Sequence, residues 1–96
     1  MNIKKLMKQA QEMQEQMQVQ LKETTVEGSA GGGMVKVTLN GQKDVLKVTL
    51  DPEILKPEER EMVEDLILAA FKDAQEKADQ QLQGMMGALS GGLGLG

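Results

Sequence analysis

Lys4, Lys5 and Lys8 are the residues of this chain whose type and spacing offer chemistry. They fall in the first two turns of a helix beside the chain's amino group, where the helix dipole penalises each exposed positive charge by about 0.3 to 1 kcal/mol. Ammonium groups clustered there against a local rule suit one task, contact with phosphate oxygens. A solubilising patch, eased by an i,i+4 pair between Lys8 and Glu12, stands as the other reading.

Other chemistry finds little support. Glu58, Glu59, Glu61, Glu64 and Asp65 form an acidic cluster, yet no glycine-centred calcium loop accompanies them, and the spacing suits a solvated helix start compensating its dipole. The run Gly31-Gly32-Gly33 lacks the Gly-Lys-Ser/Thr ending of a phosphate loop, and Met34 after it opens a strand. With no His and no Cys, imidazole bases, thiolate nucleophiles and imidazole metal ligands are missing, and Ser29 and Ser90 have no histidine to activate them. The expectation is therefore a protein that is not an enzyme, with no metal, cofactor or small-molecule substrate. Phe71 is the one aromatic residue, so nucleobase stacking is excluded as a binding mode.

The elements that must position the lysines are readable from periodicity. Ile3, Leu6, Ala10, Met13 and Met17 recur at three- and four-residue steps through a Gln-, Glu- and Lys-rich stretch, the spacing of a helix from about residue 2 to 23 with a heptad seam. Such a helix is roughly 33 Å long, more than a few short strands can cover. A second copy of the same helix is the simplest partner, which assigns those five residues to dimerisation. The methionines are read as packing, with an adaptable peptide-binding surface as the less favoured use.

Thr24 to Ser29 alternates and suggests a first strand ending in the glycine run. Val35, Val37 and Leu39, then Leu46, Val48 and Leu50, alternate with Lys and Thr around Asn40-Gly41, which predicts a hairpin closed by a type I′ turn. Asp51-Pro52 ends the last strand with a short capped turn. Pro57 followed by Glu58 and Glu59 opens a second helix whose broad apolar face, Met62 to Leu82, should cover the sheet. That helix is expected to stop near Gln83 with Gly84 as its left-handed cap. Residues 84–96, with six glycines, would form a flexible tail beyond a single domain of residues 1–83.

The net charge of -4 is a poor prior for nucleic acid, but it is unevenly distributed: residues 1–23 hold four Lys against three Glu, and residues 57–96 hold three basic against eight acidic groups. Neither a secretory leader nor a membrane span is visible, so a cytoplasmic protein with no membrane partner is expected.

The order of parts, from the Lys-, Met- and Gln-rich helix through Gly31-Gly32-Gly33-Met34-Val35, Asn40-Gly41 and Asp51-Pro52 to Glu64-Asp65-Leu66-Ile67-Leu68-Ala69-Ala70, closely resembles the YbaB/EbfC family of bacterial nucleoid-associated proteins. The likeness covers nearly the whole chain. It implies an α+β homodimer shaped like tweezers: a long N-terminal helix, a three-stranded antiparallel sheet and a C-terminal helix in each protomer, with helices projecting from a joined sheet body. It further implies binding to double-stranded DNA in the nucleoid, with effects on DNA shape, nucleoid organisation and gene expression. The family's proposed contacts on the terminal helices fall here on Lys4, Lys5 and Lys8 first, and then on Lys72 and Lys77 of the acidic second helix. The alternative is a coiled-coil protein-interaction module that does not touch DNA.

Overall fold

A computed structural model describes residues 2–92, with side chains over residues 2–87. Helix α1 spans Ile3–Glu23, strands β1, β2 and β3 span Thr25–Ala30, Val35–Asn40 and Val45–Leu50, and helix α2 spans Arg60–Gly92 after two single turns of 3-10 helix at Pro52–Ile54 and Pro57–Glu59. The sheet is antiparallel in the order β1-β2-β3. This is the α+β architecture read from the sequence.

The core is thin and aliphatic. Val35, Val37 and Leu39 point from one face of β2 toward α2, where Ala70 and Ala74 have no exposed surface. Small residues on α2 let the helix sit close, and Gly28 of β1 lets it sit closer. A Cβ at Gly28 would fall on the Ala70 carbonyl oxygen and the Ala74 backbone nitrogen. Helix and strand therefore meet backbone to backbone, a contact only glycine permits.

Three expectations about local geometry are corrected. The β2–β3 connection is not a two-residue type I′ turn: the strands are joined by Gly41 to Asp44, and the residue with positive φ is Lys43, at 67°, not Gly41. Asn40, 2 % exposed, folds this loop by accepting from the backbone N–H groups of Gln42 and Asp44, both at 2.9 Å. Gly41 is instead a site of close approach, since its N–H donates to the Leu21 and Thr24 carbonyls and a Cβ there would lie 2.6 Å from the Leu21 oxygen.

The second correction concerns β3. Thr38 pairs with Lys47 but Leu39 pairs with Val45, so Leu46 is an extra residue in a bulge. The face shared with Val37 and Val35 is therefore Val45, Val48 and Leu50, and Leu46 drops out of the alternation. The third concerns the end of α2. It runs through Gly84 and Gly87 to Gly92, because glycine within a helix is penalised by about 1 kcal/mol relative to alanine but not forbidden. Residues 93–96 of the expected tail lie outside the described residues.

The helices differ in what they cover. Within the sheet α2 packs chiefly on β1 and β2, which leaves Val45, Leu46 and Val48 of β3 each between 44 % and 53 % exposed. Nothing in α1 is buried. Its hydrogen bonds to the body lie at its C-terminal end, to Gly41 and Gln42, and the molecule is long and thin, 68 × 25 × 15 Å.

Candidate nucleic-acid interface

Helix α1 starts where Asn2 supplies a cap, its side chain accepting from Lys5 N at 3.3 Å. No acidic residue lies in its first turn, so Lys4, Lys5 and Lys8 stand without local compensation, all exposed. The i,i+4 spacing puts Lys4 and Lys8 on one face, one turn apart. Among the described residues the cations in ion pairs are Lys43, Arg60 and Lys77; the anticipated pair of Lys8 with Glu12 is not formed. Three free ammonium groups at the end of a projecting helix can reach phosphate oxygens with little desolvation.

The other two lysines fare differently. Lys72 is exposed and free of ion pairs. Lys77 is committed to a clamp between α2 and β1: its ammonium donates to the Glu27 carbonyl at 3.0 Å and pairs with Asp73 at 3.1 Å. Asp73 also accepts from the Ser29 N–H at 3.0 Å. That backbone donor, with Lys77 beside it, holds the Asp73 carboxyl below its ordinary range. The structure thus brings Lys4, Lys5 and Lys8 together and does not bring Lys77 to them.

The apolar stripe of α1 is open. Ile3, Leu6 and Met13 are 51 % to 67 % exposed, and Ala10, Met13 and Met17 line a groove of about 680 Å³ whose opposite wall is Met85 of α2. Sequence reasoning left Met85 in the tail, because Gly84 reads as a stop. The usable signal was Ala78, Leu82 and Met85, which continue the α2 stripe at steps of four and three across that glycine. No helix among the described residues is long and apolar enough to cross a membrane.

The architecture is a small α+β body from which a lysine-tipped helix extends. A model of the YbaB/EbfC DNA-binding family matches residues 1–93, and the chain belongs to that family. It is 49% identical to a nucleoid-associated protein of Acetivibrio thermocellus, over 97% of this chain and 85% of the relative. To a nucleoid-associated protein of Chloroflexus aurantiacus it is 46% identical, over 97% and 96% of the two chains. The fold matches the crystal structure of an uncharacterized protein from Helicobacter pylori with a TM-score of 0.78, covering 93% and 97% of the chains at 21% identity.

Proposed function

We propose that this chain is a nucleoid-associated protein that binds double-stranded DNA as a homodimer, mainly through phosphates, and thereby alters DNA conformation, nucleoid organisation and gene expression. The observation that carries the reading is the exposed, unpaired trio Lys4, Lys5 and Lys8 at the end of a helix that buries nothing of its own. Family membership supplies the ligand class.

What one protomer leaves uncovered supports dimerisation. Helices in proteins draw most of their stability from packing an amphipathic face, and α1, 21 residues long with nothing buried, has an open seam at Ile3, Leu6, Ala10, Met13 and Met17. The uncovered strip of β3 asks for the same remedy. A second copy supplies both surfaces by two-fold symmetry, and it places six tip lysines on one particle. Lys72 is exposed and available to a phosphate; Lys77 would first have to leave its clamp. Arginine is missing from the tips, so bidentate guanine readout is not available there and any preference comes through DNA shape or amide contacts.

The test is a salt titration of a labelled duplex with wild type and K4Q/K5Q/K8Q, alongside sedimentation. Six phosphate contacts contribute roughly -5 to the slope of log K against log salt, and the triple variant is expected to lose that share while remaining a dimer. An unchanged slope would favour the protein-interaction reading, for which the apolar groove between α1 and Met85 would be the docking surface. A well-folded monomer at working concentration would remove the dimer.

A further inference from the structure

The sheet has a second face, turned away from α2. Because Val35, Val37 and Leu39 are buried beneath that helix, Lys36 and Thr38 point to the opposite side. Register extends the assignment across the strands: Ser29 pairs with Lys36 and Lys36 with Thr49, while Glu27 pairs with Thr38 and Thr38 with Lys47. Two adjacent rungs therefore carry Ser29-Lys36-Thr49 and Glu27-Thr38-Lys47 side by side. Lys36 and Lys47 are diagonal neighbours, with Cα atoms about 7–8 Å apart.

Four observations give this face a character. Lys36, Lys47 and Thr49 are exposed and Thr38 half-exposed; neither lysine is in an ion pair. Neither helix covers it, because α2 lies on the other side and α1 bonds to the body near Gly41. Apolar side chains are absent from the two rungs, so the face does not call for a protein cover. Finally, Glu27 is the only carboxylate in the two rungs, and the one α2 carboxylate that reaches β1, Asp73, is engaged by the Ser29 N–H and the Lys77 ammonium.

Ammonium and hydroxyl groups alternating on a flat, rigid surface are donors to phosphate oxygens. At ordinary ionic strength the Debye length is about 8–10 Å, so an approaching polyanion is affected most by the charges it touches and much less by carboxylates across the body. The two rungs hold two lysines against one carboxylate, a local excess of positive charge in a chain whose total is -4. We propose that the outward face of the sheet, through Lys36 and Lys47 with Thr38, Thr49 and Ser29, is a second phosphate-contacting surface for duplex DNA, separate from the α1 tips. The proposal rests on the DNA-binding reading given above.

Four additional contacts in a dimer steepen the salt slope by roughly 3 to 4. The experiment measures log K against log salt for the full-length wild type, K36Q/K47Q and K4Q/K5Q/K8Q on one labelled duplex. K36Q/K47Q is expected to flatten the slope by 3 to 4 while K4Q/K5Q/K8Q flattens it by about 5. A wild-type slope retained by K36Q/K47Q, with the tip variant flattened, overturns the sheet surface and leaves the tip reading standing. Absence of wild-type binding at low salt overturns both. Acetylation of the wild-type protein gives a readout that does not depend on how the variants fold. Lys36 and Lys47 should be shielded from an amine-reactive acetyl donor when duplex is bound, and full reactivity of both in the complex refutes the surface.

Discussion

Replacing Gly28 by alanine sets two rules against each other. In a strand, alanine is favoured over glycine by about 0.5–1 kcal/mol, so local propensity predicts a gain. The packing predicts a loss. The new methyl would lie 2.6 Å from the Ala74 Cβ, where ordinary van der Waals contact begins at 3.4 Å, and it would press harder still on the Ala70 oxygen and Ala74 nitrogen. These are backbone atoms of a helix whose neighbours Ala70 and Ala74 are wholly buried, so no rotamer change relieves the clash. Either α2 lifts off β1 and loosens its contact with Val35, Val37 and Leu39, or the strand bends. Overpacking of this kind costs about 1–3 kcal/mol. With rigid atoms in the way the upper half applies, and the net after the propensity gain is about 2 kcal/mol of destabilisation. For a domain of this size that is a fall in Tm of roughly 8–16 °C. Thermal melts followed by circular dichroism measure it, at one fixed protein concentration because assembly makes Tm concentration-dependent. Ser29→Ala, on the exposed side of the same strand, serves as the control and should stay within about 0.5 kcal/mol of wild type. An unchanged or raised Tm for Gly28→Ala would refute the backbone-to-backbone seating of α2.

Two further perturbations probe the connections around that core. The carboxyl of Asp73 is held low by the Ser29 N–H and by Lys77, so its folded-state pKa lies below the unfolded one. Its stabilisation is thus present above the ordinary aspartate range and is lost as pH falls below it; Tm measured from pH 7 down to pH 3 should drop less steeply for Asp73→Asn, and parallel curves would contradict the clamp. Asn40→Ala removes the acceptor for the Gln42 and Asp44 N–H groups and should destabilise by about 1–3 kcal/mol. A urea midpoint unchanged from wild type would show that the loop does not depend on that side chain.

Near-neighbour patterns were legible in the chain. The period-two run of β2, the Pro57 start before α2 and the three-and-four spacing of α1 depend on side-chain alternation, capping and backbone preference within a few residues, and the fold realises each of them, while β3 keeps its alternation from Lys47 to Leu50 and loses it at Leu46. The cluster Lys4, Lys5 and Lys8 was legible for the same reason: its oddity lies in the relation of charge to its own helix end. Family resemblance, carried by the glycine run and Asn40-Gly41, added a DNA-binding expectation that periodicity could not supply.

Where two distant segments meet, the local rules lost authority. Asn40-Gly41 has the signature of a tight turn, yet Gly41 is needed for contact with Leu21, and the positive φ moved to Lys43. Gly84 is a different case: it has the signature of a helix stop, yet α2 continues through it with nothing packed against it, because glycine in a helix is penalised and not forbidden. Lys77 looked as available as Lys72 until α2 came to rest beside Glu27. By itself, then, the sequence determined which segments become helix or strand and where its unusual charge sits, because those depend on neighbours along the chain. Only the tertiary structure decided which glycines serve close contact, which lysines stay free and which apolar stripes remain uncovered, because each of those depends on what another part of the chain brings within a few ångströms.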